Sequence, residues 1–214
     1  MLLGNLQTLI SDFYALDLPY RVDDFLTTDA HLARSLDGGG RQVDEKLLIA
    51  EADGEAEVCL YLEQRLLERL ESSDPLQRLD ADNLEDFWTA FEGVSHFTYY
   101  AWNAQREKTV TLLEMELQAE VDKFVATTLL LLRQGSSDAR RLHHWLFELP
   151  RLDTRLDGDE LDRYRDANRY AAKYCRRLAA APERSPQHEP VQAELRRFYR
   201  LSQASKIEHI DSER

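Results

Sequence analysis

The most extended amphipathic pattern in the chain lies between about residues 84 and 134. Over 84–106, and again over 111–134, apolar residues recur every three or four positions, as on the buried face of an α-helix. Thr111 and Glu114 form a capping box at the start of the second segment. The apolar positions are Phe87, Phe91, Val94 and Ala101 in the first segment, and Leu113, Leu117, Val121, Phe124, Thr128 and Leu131 in the second. We therefore predict a long antiparallel helix pair over about 84–134.

A strand-like pattern occupies residues 46–61, with Asp53-Gly54 at its centre. Asp-Gly is a preferred sequence for the two-residue turn of a β-hairpin, and this turn would place Ile49 opposite Val58. Apolar residues also repeat at helical spacing beyond Val58, so a single helix over 55–71 is the alternative. We favour a small β-hairpin near residues 46–61, followed by a helix.

Shorter helical patterns flank these segments. An amphipathic helix is predicted to begin near Leu2, and a short helix that ends at Leu36 is predicted to be capped by Thr28 or Asp29. The other predicted helices cover 138–149, 161–181 and Pro190 to about Ser205. The predicted fold class is mainly α, a helical bundle-like single domain. The chain also permits a subdivision into an α+β part over 1–80 and a helical part over 81–214.

The composition places the chain among folded globular proteins. Of its 214 residues, 43 % are hydrophobic and 31 % are charged, which excludes a wholly disordered chain. The formal net charge is −13, and it is unevenly spread, because residues 1–134 carry −15 and residues 135–214 carry +2. Opposite charges attract, so these two parts are expected to dock within one chain or between protomers.

Several features favour a cytoplasmic protein of bacterial origin. The start of the chain lacks the basic segment of a signal peptide, and the longest apolar stretch, over 124–132, falls short of the roughly 20 residues that cross a bilayer. Cys59 and Cys175 form no Cys-x-x-Cys pair, which fits a reducing compartment. Arginine outnumbers lysine 22 to 5, as expected for a GC-rich bacterial genome. We predict no membrane association.

Glu92 and His96 are the most suggestive combination of functional groups. Their spacing places a carboxylate and an imidazole on one face of the first long helix, and antiparallel pairing would turn Glu116 and Glu120 of the second helix toward them. Three carboxylates and one imidazole suit Mn, Fe or Zn, so these four residues form a candidate metal site. The alternative, more frequent for a motif of this kind, is that Glu92 and His96 form an ordinary pair while Glu116 and Glu120 face solvent or meet arginines.

The helix over 161–181 carries the strongest concentration of positive charge. Its basic residues form a candidate surface for binding an anion or a partner, and they are Arg165, Arg169, Lys173, Arg176 and Arg177. Nucleic acid is not the expected partner, because the net charge of −13 would repel a polyanion. Docking onto an acidic protein surface is the more economical interpretation.

No motif assigns a specific biochemical role, and whether the protein is an enzyme is left open. The leading interpretation is a protein–protein interaction or adaptor module, with another protein or a second copy of itself, as a homodimer, for its partner. The leucines over 129–132 point around the whole helix and must be covered by the fold or by a partner. No cofactor is predicted in that case. The alternative is a metal-dependent enzyme with a divalent ion (Zn, Mn or Fe) at the Glu92, His96, Glu116 and Glu120 site.

Overall fold

A computed structural model describes residues 2–41, 43–136, 141–148, 158–180 and 186–212. Its helices are α1 (Leu2–Tyr14), α2 (Ala30–Leu36), α3 (Gln64–Ser72), α4 (Leu84–Ala104), α5 (Leu112–Arg133), α6 (Gly158–Ala180), α7 (Glu189–Tyr199) and α8 (Gln203–Ser212). Its strands are β1 (Leu26–Thr27), β2 (Glu45–Ala52) and β3 (Glu55–Leu62). A 3₁₀ helix covers Val22–Phe25, and a π-helical turn covers His144–Glu148. The described residues therefore form the predicted mainly α fold with a small β element.

The hairpin forms in the predicted register. β2 and β3 are antiparallel, Ile49 lies opposite Val58, and the turn residues Asp53 and Gly54 both have positive φ angles of 54° and 82°. Positive φ at both positions matches the twist of a two-residue hairpin turn to that of its strands. β1 adds a parallel strand beside β3, with Leu26 opposite Leu60. The alternative of one helix over 55–71 does not form, because α3 begins only after β3 has ended.

The long helix pair lies at the centre of the fold. α1, α3 and the hairpin pack against α4, while α6 packs against α5. Both long helices are therefore covered on more than one side, and the predicted apolar positions of α4 are all buried. Leu129, Leu130 and Leu131 are buried within this same core, whereas Leu132 remains 42 % exposed. No helix within the described ranges is both long enough and apolar enough to cross a lipid bilayer.

The last backbone carbonyls of α1 accept hydrogen bonds from side chains that are far away in the sequence. The guanidinium of Arg196 donates to the Phe13 carbonyl over 3.1 Å, and that of Arg200 donates to the Tyr14 carbonyl over 2.9 Å. The last carbonyls of a helix have no partner inside the helix. Side chains on and just beyond α7 therefore complete the hydrogen bonding of α1.

The prediction of one helix from Pro190 to about Ser205 is wrong. α7 ends at Tyr199 and α8 begins at Gln203. The Ser202 hydroxyl accepts a hydrogen bond from the Ser205 backbone N–H over 3.4 Å, and the Ser202 carbonyl accepts one from Lys206 N–H. Ser202 thus starts a second helix at an angle to the first, which lets Tyr199 and Lys206 both enter the core.

Two other helix boundaries also differ from expectation. α6 begins at Gly158, three residues before the predicted start, and Ala181 lies outside the described residues. For the helix predicted over 138–149, residues 138–140 and 149 lie outside the described residues. The part that is described, 141–148, is helical but ends as a π-helical turn.

Candidate metal centre

His96 lies in the middle of a cluster of carboxylates between α4, α5 and β2. Its Nδ1 atom is 3.6 Å from Glu45 Oε1, and its Nε2 atom is 3.6 Å from Glu116 Oε2. The residue is only 5 % exposed. His96, Glu45 and Glu92 each have one ligand atom in a group of three atoms that all lie within 4.8 Å of one another. A single ion could contact all three. Two long helices and the first strand of the hairpin thus converge on one imidazole.

Gly93 allows β2 to approach α4 closely enough for this convergence. A Cβ atom at Gly93 would lie 2.8 Å from Leu60 Cδ1, 2.9 Å from Glu45 Cγ and 3.0 Å from Glu45 Oε1. Distances below 3.0 Å between such atoms are steric clashes, so a side chain here would displace Glu45. A glycine in mid-helix normally weakens the helix, and here its role is to make room for the neighbouring strand.

We expect Gly93→Ala to lower the free energy of unfolding by about 1–3 kcal/mol, because the added methyl group overpacks the contact with β2. Urea denaturation followed by circular dichroism measures the change. Gly158→Ala is the matched control, since a Cβ at Gly158 meets no atom within 4 Å. Equal stabilities for the two variants would contradict the steric role of Gly93.

Glu92 and Glu120 are joined by Lys123, although a carboxylate oxygen of Glu92 also lies within 4.8 Å of ligand atoms of His96 and Glu45. The Lys123 ammonium donates to Glu92 Oε2 over 2.8 Å, and it lies 2.6 Å from Glu120 Oε1. The Lys123 side chain is 9 % exposed. Burial alone would lower the pKa of Lys123, but the two carboxylates raise it well above its ordinary value. Lys123 is therefore a buried, positively charged bridge between α4 and α5.

The carboxylates differ in how their protonation is shifted. Burial raises the pKa of Glu45 and that of Glu120. Burial is the largest influence on Glu92 and acts to raise its pKa, but the charges of Lys123 and His96 and the hydrogen bond from Lys123 together outweigh it, so the pKa is lowered. For His96, burial acts to lower the pKa, and the bonds and charges of Glu116 and Glu45 together raise it well above the ordinary value. The surroundings of His96 are thus strongly negative.

Several polar atoms of the cluster have no hydrogen-bond partner among the described residues: Glu45 Oε1, His96 Nε2 and Glu120 Oε2. A buried polar atom without a partner costs about 1–3 kcal/mol relative to a paired one. Tyr164 of α6 borders the cluster, and its pKa is raised by burial and by the charges of Glu116, Glu92 and Glu45. The arrangement has the donor atoms and the negative charge to hold a cation.

The structure brings together all of the residues that the sequence proposed for this site, although their pairing differs. His96 contacts Glu116 as the antiparallel arrangement predicts, whereas its expected partner on the same helix, Glu92, contacts Lys123. The alternative in which Glu116 and Glu120 face solvent or meet arginines does not describe the fold, since Glu116 is buried beside His96 and the half-buried Glu120 pairs with Lys123. Sequence analysis missed Glu45 and Lys123.

His143 and His144 are occupied elsewhere. His143 Nε2 lies 2.9 Å from the Ala172 carbonyl, and His144 Nδ1 lies 2.9 Å from Glu148. His144 and Glu148 lie one helical turn apart. Neither imidazole contributes to the cluster around His96 in the interactions that the described residues make.

The basic residues of α6 have acidic or carbonyl partners close by. Arg165 lies 3.6 Å from Asp162, Arg169 lies 2.9 Å from Asp166, and Lys173 lies 2.6 Å from Asp211 of α8. Arg177 donates to the carbonyls of His209 and Ile210. Arg176, Arg169 and Lys173 also line an open groove of about 520 Å³ between α6 and the π-helical turn. Their role in binding an anion or a partner stays a prediction.

A second buried polar cluster lies on another face of α5. The Asp122 carboxylate accepts hydrogen bonds from Tyr14, Ser95 and Gln118 over 2.5, 2.6 and 2.7 Å. Burial raises the pKa of Asp122 to about 6. Gln118 in turn accepts from the ammonium of Lys206, which reaches the core from α8. This cluster ties α1, α4 and α8 to α5.

Lys206 is fully buried, with 0 % exposure. Its ammonium donates to the Tyr99 hydroxyl over 2.9 Å and to Gln118 Oε1 over 2.5 Å, and the Tyr99 hydroxyl donates to Glu114 over 2.5 Å. Burial lowers the pKa of Lys206 to about 7, against the opposing charges of Glu114 and Asp122. This role could not be predicted from the sequence, because a lysine in a short polar helix normally points to solvent.

Comparison with protein-family models, with curated proteins and with solved structures finds no match for this chain. The case for a function therefore rests on the geometry and chemistry of the site itself.

Proposed function

We propose that the protein is a metal-dependent enzyme whose divalent ion is bound by Glu45, Glu92 and His96, with Glu116 facing the other ring nitrogen of His96. The observation that carries this proposal is the convergence of ligand atoms from Glu45, Glu92 and His96 within 4.8 Å of one another, with Glu45 Oε1 buried and without a hydrogen-bond partner among the described residues. A buried carboxylate is costly unless it is paired or coordinates a metal. A bound divalent ion would both contact the unpartnered oxygen of Glu45 and compensate the negative charge of the carboxylates.

The nature of the donors supports Mn, Fe or Zn. Imidazole nitrogen suits Zn and Fe, and carboxylate oxygen suits Mn, so a mixed set selects for first-row transition metals over Mg or Ca. Such an ion lies about 2.0–2.2 Å from each ligand atom. Glu45 Oε1 lies 3.6 Å from His96 Nδ1, so a small movement of this flexible glutamate would bring it to an ion on that side of the ring, while Glu116 faces Nε2 on the other side.

The proposed catalytic use is activation of water. When a metal ion has fewer protein ligands than its preferred coordination number, water fills the open position and becomes a nucleophile near neutral pH. The protein's part is to fix the ligands and to limit the access of solvent. His96 and Glu116 form the buried side, while the half-buried Glu92 and Glu120 form the side nearer to solvent. Hydrolysis is therefore the reaction class that we propose.

The interaction or adaptor function, with or without a homodimer, stays a prediction. Two observations favoured it in the sequence. The first, the run of leucines over 129–132, is a weaker argument in the folded protein, because the fold itself buries Leu129, Leu130 and Leu131. The other, the charge difference along the chain, is met in part within the protein, since Lys206 of the basic part lies close to Glu114 and Asp122 of the acidic part. Neither observation requires a partner.

The test is the metal content of protein purified without chelators and incubated separately with Mn²⁺, Fe²⁺ and Zn²⁺, read by elemental analysis. We expect one equivalent per chain in the wild type, and less than a tenth of an equivalent in His96→Ala and in the nearly isosteric Glu45→Gln. His144→Ala is the matched control, because His144 also pairs with a glutamate but lies away from the cluster.

Circular dichroism spectra should show that each variant is folded before its metal content is compared. The proposal is contradicted if the wild type binds none of the three ions, or if folded Glu45→Gln and His96→Ala bind as much as the wild type. Retention of the metal by His144→Ala together with its loss in the other two variants would support it.

A further inference from the structure

We infer that Lys123 takes the place of a second metal ion, so that the cluster binds one divalent ion beside a tethered ammonium group. This inference rests on the proposed function. It concerns the pair formed by Glu92 and Glu120, which the ligand set around His96 does not fully use. The consequence is a testable limit on the number of ions bound.

The position of the ammonium group is the first argument. Lys123 Nζ lies 2.8 Å from Glu92 Oε2 and 2.6 Å from Glu120 Oε1, so it bridges carboxylates from two helices. In two-metal sites the ions lie about 3.5–4 Å apart and share the surrounding carboxylates. The ammonium of Lys123 therefore occupies the kind of position, between carboxylates of facing helices, that a second ion would take beside the one at His96.

The charge of the cluster is the second argument. Glu45, Glu92, Glu116 and Glu120 supply four carboxylates. Two divalent ions would neutralise four ionised carboxylates completely, whereas one divalent ion leaves two charges uncompensated. Lys123 compensates one of these, and uncompensated charge in a buried site is costly. The cluster thus has the carboxylates of a two-metal site and a lysine where the second positive charge is needed.

The attachment of Lys123 to the fold is the third argument. The residue lies on α5, three positions after Glu120, and reaches across to Glu92 on α4. Its side chain is almost wholly buried, and its ammonium is held by both carboxylates between the two long helices. A tethered cation at this position prevents the binding of a free one.

Titration with Mn²⁺, followed by equilibrium dialysis and electron paramagnetic resonance, tests the inference. We expect the wild type to bind one equivalent and Lys123→Met to bind two, with the spectrum of a spin-coupled Mn²⁺ pair appearing only in the variant. Methionine keeps most of the volume of the side chain but removes its charge. Lys123→Arg should bind one equivalent, because it keeps a positive charge between the carboxylates.

Lys173→Met is the matched control, since Lys173 is also paired with a carboxylate, that of Asp211, but on the surface between α6 and α8. It should bind one equivalent. If Lys123→Met does not fold, Lys123→Gln provides a second uncharged variant with the ability to hydrogen-bond. One equivalent in the wild type and one or none in the folded uncharged variant would overturn the inference and leave the proposed function intact.

Three further outcomes of the titration also decide whether the inference is correct. If the wild type binds two equivalents at the cluster, Lys123 does not replace an ion and the inference is wrong. If the wild type binds no ion of any kind, the proposed function fails first, and the inference fails with it. Two equivalents in the uncharged variant, beside one in the wild type and in Lys123→Arg, would establish the inference.

Discussion

Asp122→Ala should lower the free energy of unfolding by about 4 kcal/mol, which is the largest loss that we expect from any single substitution in the chain. The Asp122 carboxylate accepts hydrogen bonds from Tyr14, Ser95 and Gln118 in the core. Alanine would leave these donors buried with no acceptor, and each such group costs about 1–3 kcal/mol. The estimate allows for partial rearrangement of the three side chains.

Urea denaturation, followed by both fluorescence and circular dichroism, measures this loss. Asp24→Ala is the control for removing an aspartate from the surface, because Asp24 is exposed, and it should change stability by less than about 0.5 kcal/mol. Asp122→Asn keeps an acceptor oxygen and should fall between the two. A loss below about 1 kcal/mol for Asp122→Ala would show that the network does not stabilise the core as described.

The titration of Lys206 should by itself contribute an increase of about 2–3 kcal/mol to the free energy of unfolding between pH 7 and pH 9.5. The pKa of Lys206 is lowered to about 7 in the folded protein, from an ordinary value near 10.5. Between these values the unfolded chain binds more protons than the folded one, so stability increases with pH. Below pH 7 both states are protonated, and the folded protein carries the full cost of the buried charge.

The groups that face Lys206 determine the upper limit of this range. They are Tyr99, Glu114, Asp122 and Tyr199. Burial raises the pKa of Tyr99 and of Tyr199 above the ordinary value, so ionisation of these tyrosines on unfolding lowers stability above about pH 10. The measurement is therefore confined to pH 7–9.5, where Lys206 is the group in this cluster that titrates differently in the two states.

Comparison with Lys206→Met isolates the contribution of the buried lysine. Urea denaturation at intervals of half a pH unit should give a steeper rise for the wild type than for the variant, and the difference should reach about 2–3 kcal/mol at pH 9.5 relative to pH 7. Lys108→Met, at an exposed position, should follow the wild type. Parallel curves for the wild type and Lys206→Met would contradict the lowered pKa.

The central helices and the hairpin could be predicted because their determinants are local. Thr111 caps α5 by accepting from the Glu114 backbone N–H, and Asp53-Gly54 turns the hairpin, as the sequence indicates. The break at Ser202 was missed because the apolar spacing continues through it. β1 was missed because its two residues depend on pairing with β3, to which nothing near them in sequence points.

The convergence of His96 with Glu116 could also be predicted, since antiparallel helices bring such residues together. Glu45 could not, because strand and helix meet there through tertiary packing alone. Gly93 was the one local signal for this contact, as a glycine in the middle of an otherwise apolar helix marks the close approach of a neighbour. Lys123 and Lys206 were missed because periodicity separates apolar from charged positions and does not show which charged residues are buried.

The hydrogen bonds between the arginine side chains and the last carbonyls of α1 can form only late in the synthesis of the chain. Phe13 and Arg196 are 183 residues apart, so a ribosome adding 5–20 residues per second needs roughly 10 to 40 s to make the second after the first. During that interval the last carbonyls of α1 remain open to water or to other chains. The hydrogen bonding at the end of α1 is thus completed only after the 183 residues that separate these two partners have been added to the chain.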